Sequence, residues 1–473
     1  MSRNIIGRQY EQQVFNDLIE SKQSEFVIIY GRRRIGKTYL VKEFFNNSFT
    51  FFHTGIANSN NDVQLKEFNN SLRKFGKMPL APISDWFDAF YRLEFLVENL
   101  SDKEKKVIFI DEMPWLDNAK SGFIQAFEYF WNSWASARRD ILLIACGSAT
   151  SWMFDKIVNS HGGLHNRVTR QINLKPFTLK ECEEYFLSKK IKYSRKQITE
   201  AYMIFGGVPF YLNFFQKKYS VAQNVDEIIF SEQAPLKNEF FLLYNSLFKK
   251  SENHIAIVNA LSTKKSGLSR GEISNLSKIS NGGGLTKILN ELELSGFIRR
   301  YQSFSKKQKD VLYQLTDNFS LFYFNFVKEL KYNDEKFWTN HIDDSKYKAW
   351  TGYAFEQIVL SHLNMVKLKL GIVGILTNTA SWICKGKNSK AQIDLLIDRK
   401  DGAVNICEIK FSKTDFTIDK KTMDNMYNKI NTFIEETKTK KTIFTTLITP
   451  FGLKQNKYSG EINSEITLDD LFG

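Results

Sequence analysis

Three short apolar runs punctuate the first third of the chain: 26–30 (FVIIY), 107–110 (VIFI) and 141–146 (ILLIAC). Each is rich in β-branched residues and nearly unbroken in hydrophobicity. That pattern marks a strand buried on both faces of a parallel sheet, not the alternation of a strand with one wet face. Amphipathic stretches between the runs predict helices on both sides, so 1–175 reads as an α/β sandwich. From 176 to 250 the pattern is helical, broken at Gly206, Gly207, Val208 and Pro209. Residues 251–316 predict three helices and a hairpin, and 317–351 an aromatic-rich helical connector. Residues 352–473 predict a helix, strands, then a helix and a strand. No internal repeat or low-complexity linker interrupts this order, and the expected domains are 1–175, 176–250, 251–316, 317–351 and 352–473.

The first run leads directly into Gly31, Arg32, Arg33, Arg34, Ile35, Gly36, Lys37 and Thr38, a GxxxxGK[ST] pattern, and Tyr39 begins the predicted helix 39–45. Strand, glycine-bounded loop and helix are the context that makes this pattern a phosphate cradle. The glycines let the backbone curl its N–H groups toward phosphate oxygens, and the helix N-terminus adds positive potential. Lys37 is expected to reach the β- and γ-phosphates of ATP, and Thr38 to offer its hydroxyl to Mg²⁺. The second run ends in Asp111 and Glu112. Asp111 suits the metal, directly or through water, and Glu112 suits polarisation of the attacking water. The third run ends at Gly147, Ser148, Ala149 and Thr150, its tip expected between the other two. Ser148 or Thr150 is placed to bond the γ-phosphate or its water, although either also suits a helix cap.

Composition adds a partner and a compartment. Among 473 residues, 42% are hydrophobic, enough for about two to four cored domains. Lys and Arg number 66 against 52 Asp and Glu, a net charge of +14. Such a surface favours a polyanion, DNA before an anionic membrane, while solvated lysine faces account for it equally well. Cys146, Cys182, Cys384 and Cys407 lie far apart with no CxxC pair, which argues against a disulfide framework or a zinc knuckle. No signal-like core and no apolar stretch of about 18 residues occurs, so a cytoplasmic, non-membrane protein is expected.

The succession GRRRIGKT, VIFIDEMPWL, LLIACGSATSWM, LHNRVTRQINLKPFTLKE and GGVPFYL resembles AAA+/STAND-type P-loop ATPases of archaea and bacteria. More closely, it resembles the archaeal-type ATPases followed by a nuclease-like domain, over nearly the whole chain. The resemblance implies that Ser148 is the polar sensor and that Ile6, Gly7 and Arg8 lie near the adenine. It also implies that Arg167 or Arg170 is a finger reaching a γ-phosphate in cis or from a neighbouring copy, self-association being compatible, and that Gly206 to Pro209 form a lid turn. A solvated basic face describes the two arginines as well.

The middle and the end of the chain carry further chemistry. In 251–316, a capping-box pattern at Ser269 and Glu272 opens a helix, a third helix carries Leu285, Ile288, Leu289 and Leu292, and a hairpin follows. This order resembles a winged helix-turn-helix, for which Arg299, Arg300, Lys306, Lys307 and Lys309 are expected phosphate contacts; the same fold also serves protein packing. Near the C-terminus, two strands around Asp401 and Gly402 form a predicted hairpin, with Asp394 at the start of the first. Glu408 and Lys410, two apart, share one face of the second. With Glu356 on the preceding helix, these carboxylates suit Mg²⁺ or Mn²⁺, and Lys410 suits orienting a water or stabilising a transition state. The Glu…Asp…ExK pattern resembles the PD-(D/E)XK nuclease fold, which implies that Asp394 and Glu408 are metal ligands, Glu356 an accessory ligand and Lys410 catalytic; Gln392 also faces that site. The expectation is Mg-dependent ATP hydrolysis coupled to DNA binding and possible cleavage. The alternatives are an ATP-switched regulator that binds without cutting and a signalling NTPase whose winged helix binds protein.

Overall fold

The computed structural model describes residues 5–77, 81–100, 105–159, 162–248, 250–302, 304, 311–330, 334–342, 344–385 and 390–473. Two compact units divide the chain. One comprises Met1–Pro176, Leu247–Lys249 and Asn290–Gly296; the other comprises Phe177–Ser246, Lys250–Leu289 and Phe297–Gly473.

The first unit is built on five parallel strands, β1 (Glu25–Tyr30), β2 (Phe51–Thr54), β3 (Lys106–Asp111), β4 (Ile141–Gly147) and β5 (Arg170–Asn173), in the order β2-β3-β4-β1-β5. Alternation along the strands explains their continuous hydrophobicity. Phe26, Ile28, Ile108 and Ile110 join one core with Phe68, Phe90 and Phe127 from the helices Asn61–Gly76, Trp86–Glu98 and Phe123–Ser133. Val27, Ile29, Val107 and Phe109 enter the opposite core with Phe15 and Leu18 of Gln9–Glu20 and Leu40, Val41 and Phe44 of Lys37–Phe44. Each fully buried aromatic of this kind contributes about 1.5–3 kcal/mol. The tip of β4 lies between those of β3 and β1, as the sequence suggests, so the carboxyl ends of three adjacent strands converge.

The second unit begins helically and then carries two sheets. The helix Ser251–Ser262 precedes a small antiparallel sheet of β6 (Leu268–Ser269), β7 (Ile298–Gln302) and β8 (Val311–Leu315), ordered β6-β8-β7, and the helix Arg270–Ser277 follows β6 directly. The expected capping box forms, Ser269 Oγ accepting from the Glu272 amide at 3.3 Å and Glu272 Oε2 from the Ser269 amide at 2.7 Å. A mixed sheet follows: β9 (Thr377–Lys385), β10 (Lys390–Arg399), β11 (Ala403–Ile409), β12 (Thr442–Ile448) and β13 (Ser464–Ile466), ordered β13-β12-β11-β10-β9. The pairs β9–β10 and β10–β11 are antiparallel, and β11–β12 and β12–β13 are parallel. The predicted boundary at 351/352 falls inside a continuous helix, Ser345–Ser361, because Trp350, Thr351, Tyr353, Ala354 and Phe355 are all buried along it and Gly352 does not interrupt the pattern. Among the described residues no helix is long and apolar enough to cross a membrane.

Candidate functional site

The loop between β1 and the helix Lys37–Phe44 is shaped by its glycines. Gly31 has φ +137°, and a Cβ there would stand 2.4 Å from the Leu174 carbonyl oxygen. Gly36 has φ +88° and occupies the N-cap with no side chain to cap the first turn. The helix therefore begins at Lys37, two residues before the expected Tyr39, and presents its first N–H groups at the loop. Lys37 is buried, its Nζ donating to the carbonyls of Gly31 (3.0 Å) and Arg32 (2.9 Å), so the ammonium is already inside the loop. Arg33 and Tyr39 are exposed, whereas Arg32 and Ile35 are buried. Arg34 takes a left-handed φ of +74°. Arg8, also buried, donates to the Ile35 carbonyl at 3.4 Å, which brings the residues flagged at 6–8 to the back of the loop.

Three strand ends meet this loop. Thr38 Oγ1 donates to Asp111 Oδ2 at 2.9 Å, joining the hydroxyl and carboxylate expected to share Mg²⁺. Burial, followed by the Glu112 charge, raises the Asp111 pKa; bonds from Thr38 and Cys146 act against that rise. A divalent cation would reverse it by favouring the carboxylate, and a hydroxyl beside a buried carboxylate is an oxygen donor set suited to Mg²⁺. Glu112 adopts φ +48° immediately after β3. Its carboxylate turns to Ser148, whose Oγ donates to Oε2 at 2.9 Å and to Oε1 at 3.1 Å, with the Ser148 amide at 3.4 Å from Oε2. Ser148, expected at the γ-phosphate or its water, thus holds the residue expected to polarise that water. Thr150 opens the short helix Thr150–Met153 and is buried, its hydroxyl directed at the Ser148 carbonyl (3.5 Å). Arg167 and Arg170 are both exposed, Arg167 in the turn before β5 and Arg170 as the first residue of that strand.

In the second unit, β10 and β11 bring the other flagged residues together. Leu395 pairs with Cys407, and the adjoining Asp394 and Glu408 lie close enough for the Glu408 charge to act on Asp394. Asp394 lies mid-strand rather than at a strand start, because β10 extends back to Lys390 along β9. Gln392 Nε2 donates to Asp394 Oδ1 at 2.8 Å. Burial and the Glu408 charge raise the Asp394 pKa. Burial, then the Asp394 charge, carries Glu356 up to about 8. Glu408 behaves oppositely: burial alone would raise its pKa, but Lys429 and Lys410 lower it. Lys410 Nζ sits 2.8 Å from Glu408 Oε1, and Lys429 Nζ 2.7 Å from Oε2. Among the described residues no group of three or more His, Cys, Asp or Glu forms a ready metal cage; Glu408 is paired with two lysines, whereas at Asp394 and Glu356 burial outweighs the surrounding lysines. Sequence reading missed Lys429. Its signal was position: it falls in register with Met426 and Phe433 on the buried stripe of the helix Lys420–Thr437.

The basic residues of the 251–316 region are placed unevenly. Arg300 is exposed, but Arg299, expected at a phosphate-facing surface, is half-buried with its Nε bonded to Gln314 Oε1 at 2.8 Å, because β7 pairs with β8 and turns that side chain inward. Lys306, Lys307 and Lys309 lie outside the described residues.

Residues 6–215 match the family described as an ATPase domain predominantly from Archaea. The uncharacterized protein MJECL04 of Methanocaldococcus jannaschii is 25% identical over 434 residues, spanning 90% of this chain and 91% of that protein. Among solved structures, the Walker-type ATPase of Pyrococcus abyssi superposes with a TM-score of 0.51 at 17% identity, covering 68% of this chain and 96% of that one. Residues 6–215 are thus similar to that ATPase-domain family and carry the P-loop NTPase fold, and the expectation of an ATPase module is borne out at that level.

Proposed function

We propose that the N-terminal site hydrolyses ATP with Mg²⁺ held by Thr38 and Asp111, Lys37 on the β- and γ-phosphates, and Glu112 as general base. The observation that carries this reading is the 2.9 Å bond between Thr38 and Asp111, 73 residues apart in sequence, at the mouth of the glycine loop. Bound Mg²⁺ would supply charge to the β- and γ-phosphate oxygens. The chain's own groups then divide the work. Loop amides and Lys37 fix the phosphates, Glu112 accepts the proton of the attacking water, and Ser148 aims Glu112. Exposed Arg167 remains the proposed finger, with Arg170 as its neighbour. Glu112→Gln should bind MgATP with near-normal affinity and lose about 10²–10⁴-fold in turnover. Unaltered phosphate release would assign the base to another residue.

For the second unit, we propose a winged helix-turn-helix across 251–316 and a nuclease-like domain at the C-terminus, with DNA as the polyanion that the +14 charge favours. Asp394 with Glu356 would bind Mg²⁺ or Mn²⁺, Glu408 would join as ligand on release from a lysine, and Lys410 would face the scissile phosphate. The support is the convergence of Asp394 and Glu408 on two paired strands, with Lys410 just past the second, beside a carboxyl pushed up to about 8. Release of acid-soluble nucleotides from DNA with Mn²⁺, abolished in Asp394→Ala, tests it. No release by the unsubstituted chain with either metal would favour a regulator that binds without cutting.

A further inference from the structure

The second unit holds a partly open cavity of about 1150 Å³ whose two sides differ in chemistry. Asp394 and Glu356 line it, and so do Lys265, Arg299, Arg300 and Tyr301, which come from the β7–β8 hairpin and the turn before β6. This hairpin is fastened to the rest of the cavity. The Phe304 amide donates to the Ser381 carbonyl of β9 at 3.1 Å, and the Phe304 ring lies 5.2 Å from that of Phe433. Lys265 Nζ donates to the Ala349 carbonyl at 2.9 Å, and Gln314 Nε2 to the Tyr353 hydroxyl at 3.3 Å, both on the helix Ser345–Ser361. The carboxylates are therefore roofed by a cationic, aromatic wall rather than open along a flat face.

We infer that this cavity takes single-stranded nucleic acid, with phosphates on Lys265 and Arg299, a base against Tyr301, and the backbone led toward Asp394. The inference rests on the cleavage reading above and adds to it a substrate class and the residues that select it. Cations interleaved with aromatic rings are the composition that grips single strands, because every base has a face to stack and every linkage a charge to pair. The hairpin wall disfavours a duplex. Small-ligand pockets run to roughly 300–1,000 Å³, so this space admits a few nucleotides of one flexible strand, whereas a rigid helix requires an open groove with the hairpin displaced.

The test uses the full chain carrying Asp394→Asn, with Mg²⁺, and a fluorescein-labelled eight-nucleotide oligo(dT) or a blunt eight-base-pair hairpin duplex, read by anisotropy against salt. The single strand should bind at least about tenfold tighter than the duplex. Lys265→Gln and Arg299→Gln should each weaken it several-fold and lower the salt slope by about 0.7, the contribution of one phosphate contact on a single strand. Arg299 is bonded to Gln314, so its variant needs a thermal-melting control; Lys265 is exposed, and Lys265→Gln carries the test if Arg299→Gln unfolds. Equal or tighter duplex binding would overturn the inference, as would wild-type affinity and slope in Lys265→Gln. The two readings fail separately. Selective oligo(dT) binding without nucleotide release by the unsubstituted chain removes cleavage and keeps the cavity assignment. Cleavage of duplex and single strand alike, indifferent to Lys265→Gln, removes the cavity assignment and keeps cleavage.

Discussion

Ser148→Ala isolates the contact that aims the proposed base. The substitution deletes a hydroxyl whose one proton is shared between the Glu112 oxygens at 2.9 and 3.1 Å, and leaves the amide at 3.4 Å, near the outer limit for a useful bond. The Glu112 backbone cannot follow the change. Its carbonyl accepts from the Trp115 amide at 3.0 Å, and Gly55 packs so closely that a Cβ there would stand 2.5 Å from that same oxygen. The loss therefore falls on side-chain aim. A hydrogen bond to a charged group is worth about 1.5–3 kcal/mol, and if all of it is expressed in the transition state, turnover falls roughly 10- to 150-fold. Phosphate release at saturating MgATP, together with calorimetric nucleotide affinity, measures both halves of the argument. The expected result is that drop in kcat with Kd within about twofold, and substantial recovery in Ser148→Thr, which restores a hydroxyl. Turnover within twofold of the unsubstituted chain would refute the reasoning. A Kd that rises in step with the fall in kcat would instead put Ser148 on the nucleotide.

Two further predictions concern stability. Lys429→Met leaves Glu408, whose side chain is 5% exposed, with Lys410 alone; unfolding in urea should show a loss of about 3 kcal/mol, partly recovered when Glu408→Gln is added, and an unshifted transition would remove the pair from the fold's support. His53, 3% exposed on β2, is pushed by burial from 6.5 down to about 4. The unfolded chain takes up this proton below about 6.5 and the folded chain does not, so the contribution is intact above that pH and is lost as pH falls toward 4, amounting to about 2 kcal/mol by pH 5. His53→Gln should flatten the stability profile between pH 7 and 5, and an unchanged slope would rule out His53 as the cause.

The nucleotide loop was legible because its requirements are local. Positive φ at Gly31 and Gly36 demands glycine, and three β-branched runs demand a doubly covered sheet. The partner of Ser148 was not legible, since it depends on the left-handed turn at Glu112, a residue whose side chain carries no mark of that conformation. At the C-terminus the motif exposed Asp394, Glu408 and Lys410 through their spacing in paired strands. Lys429 escaped because a lysine on a helix reads as solvated until packing of Phe433 against Trp382 and Ile393 fixes which face turns inward. The inward turn of Arg299 was not legible for a related reason: alternation along a strand says that neighbours point apart, not which of them another segment will cover.

The order of the parallel sheet has a consequence for biosynthesis. β1 hydrogen-bonds to β4 and β5 and to no strand between them in sequence. A ribosome that has released the first 130 or so residues has therefore exposed a largely apolar strand with neither of its flanks, and the glycine loop without the Leu174 carbonyl beneath it. Such distant pairings slow assembly and leave sticky edges open to other chains. Nucleotide affinity should consequently switch on abruptly as stalled nascent chains lengthen past residue 175 beyond the exit tunnel; gradual acquisition from residue 60 onward would contradict that order.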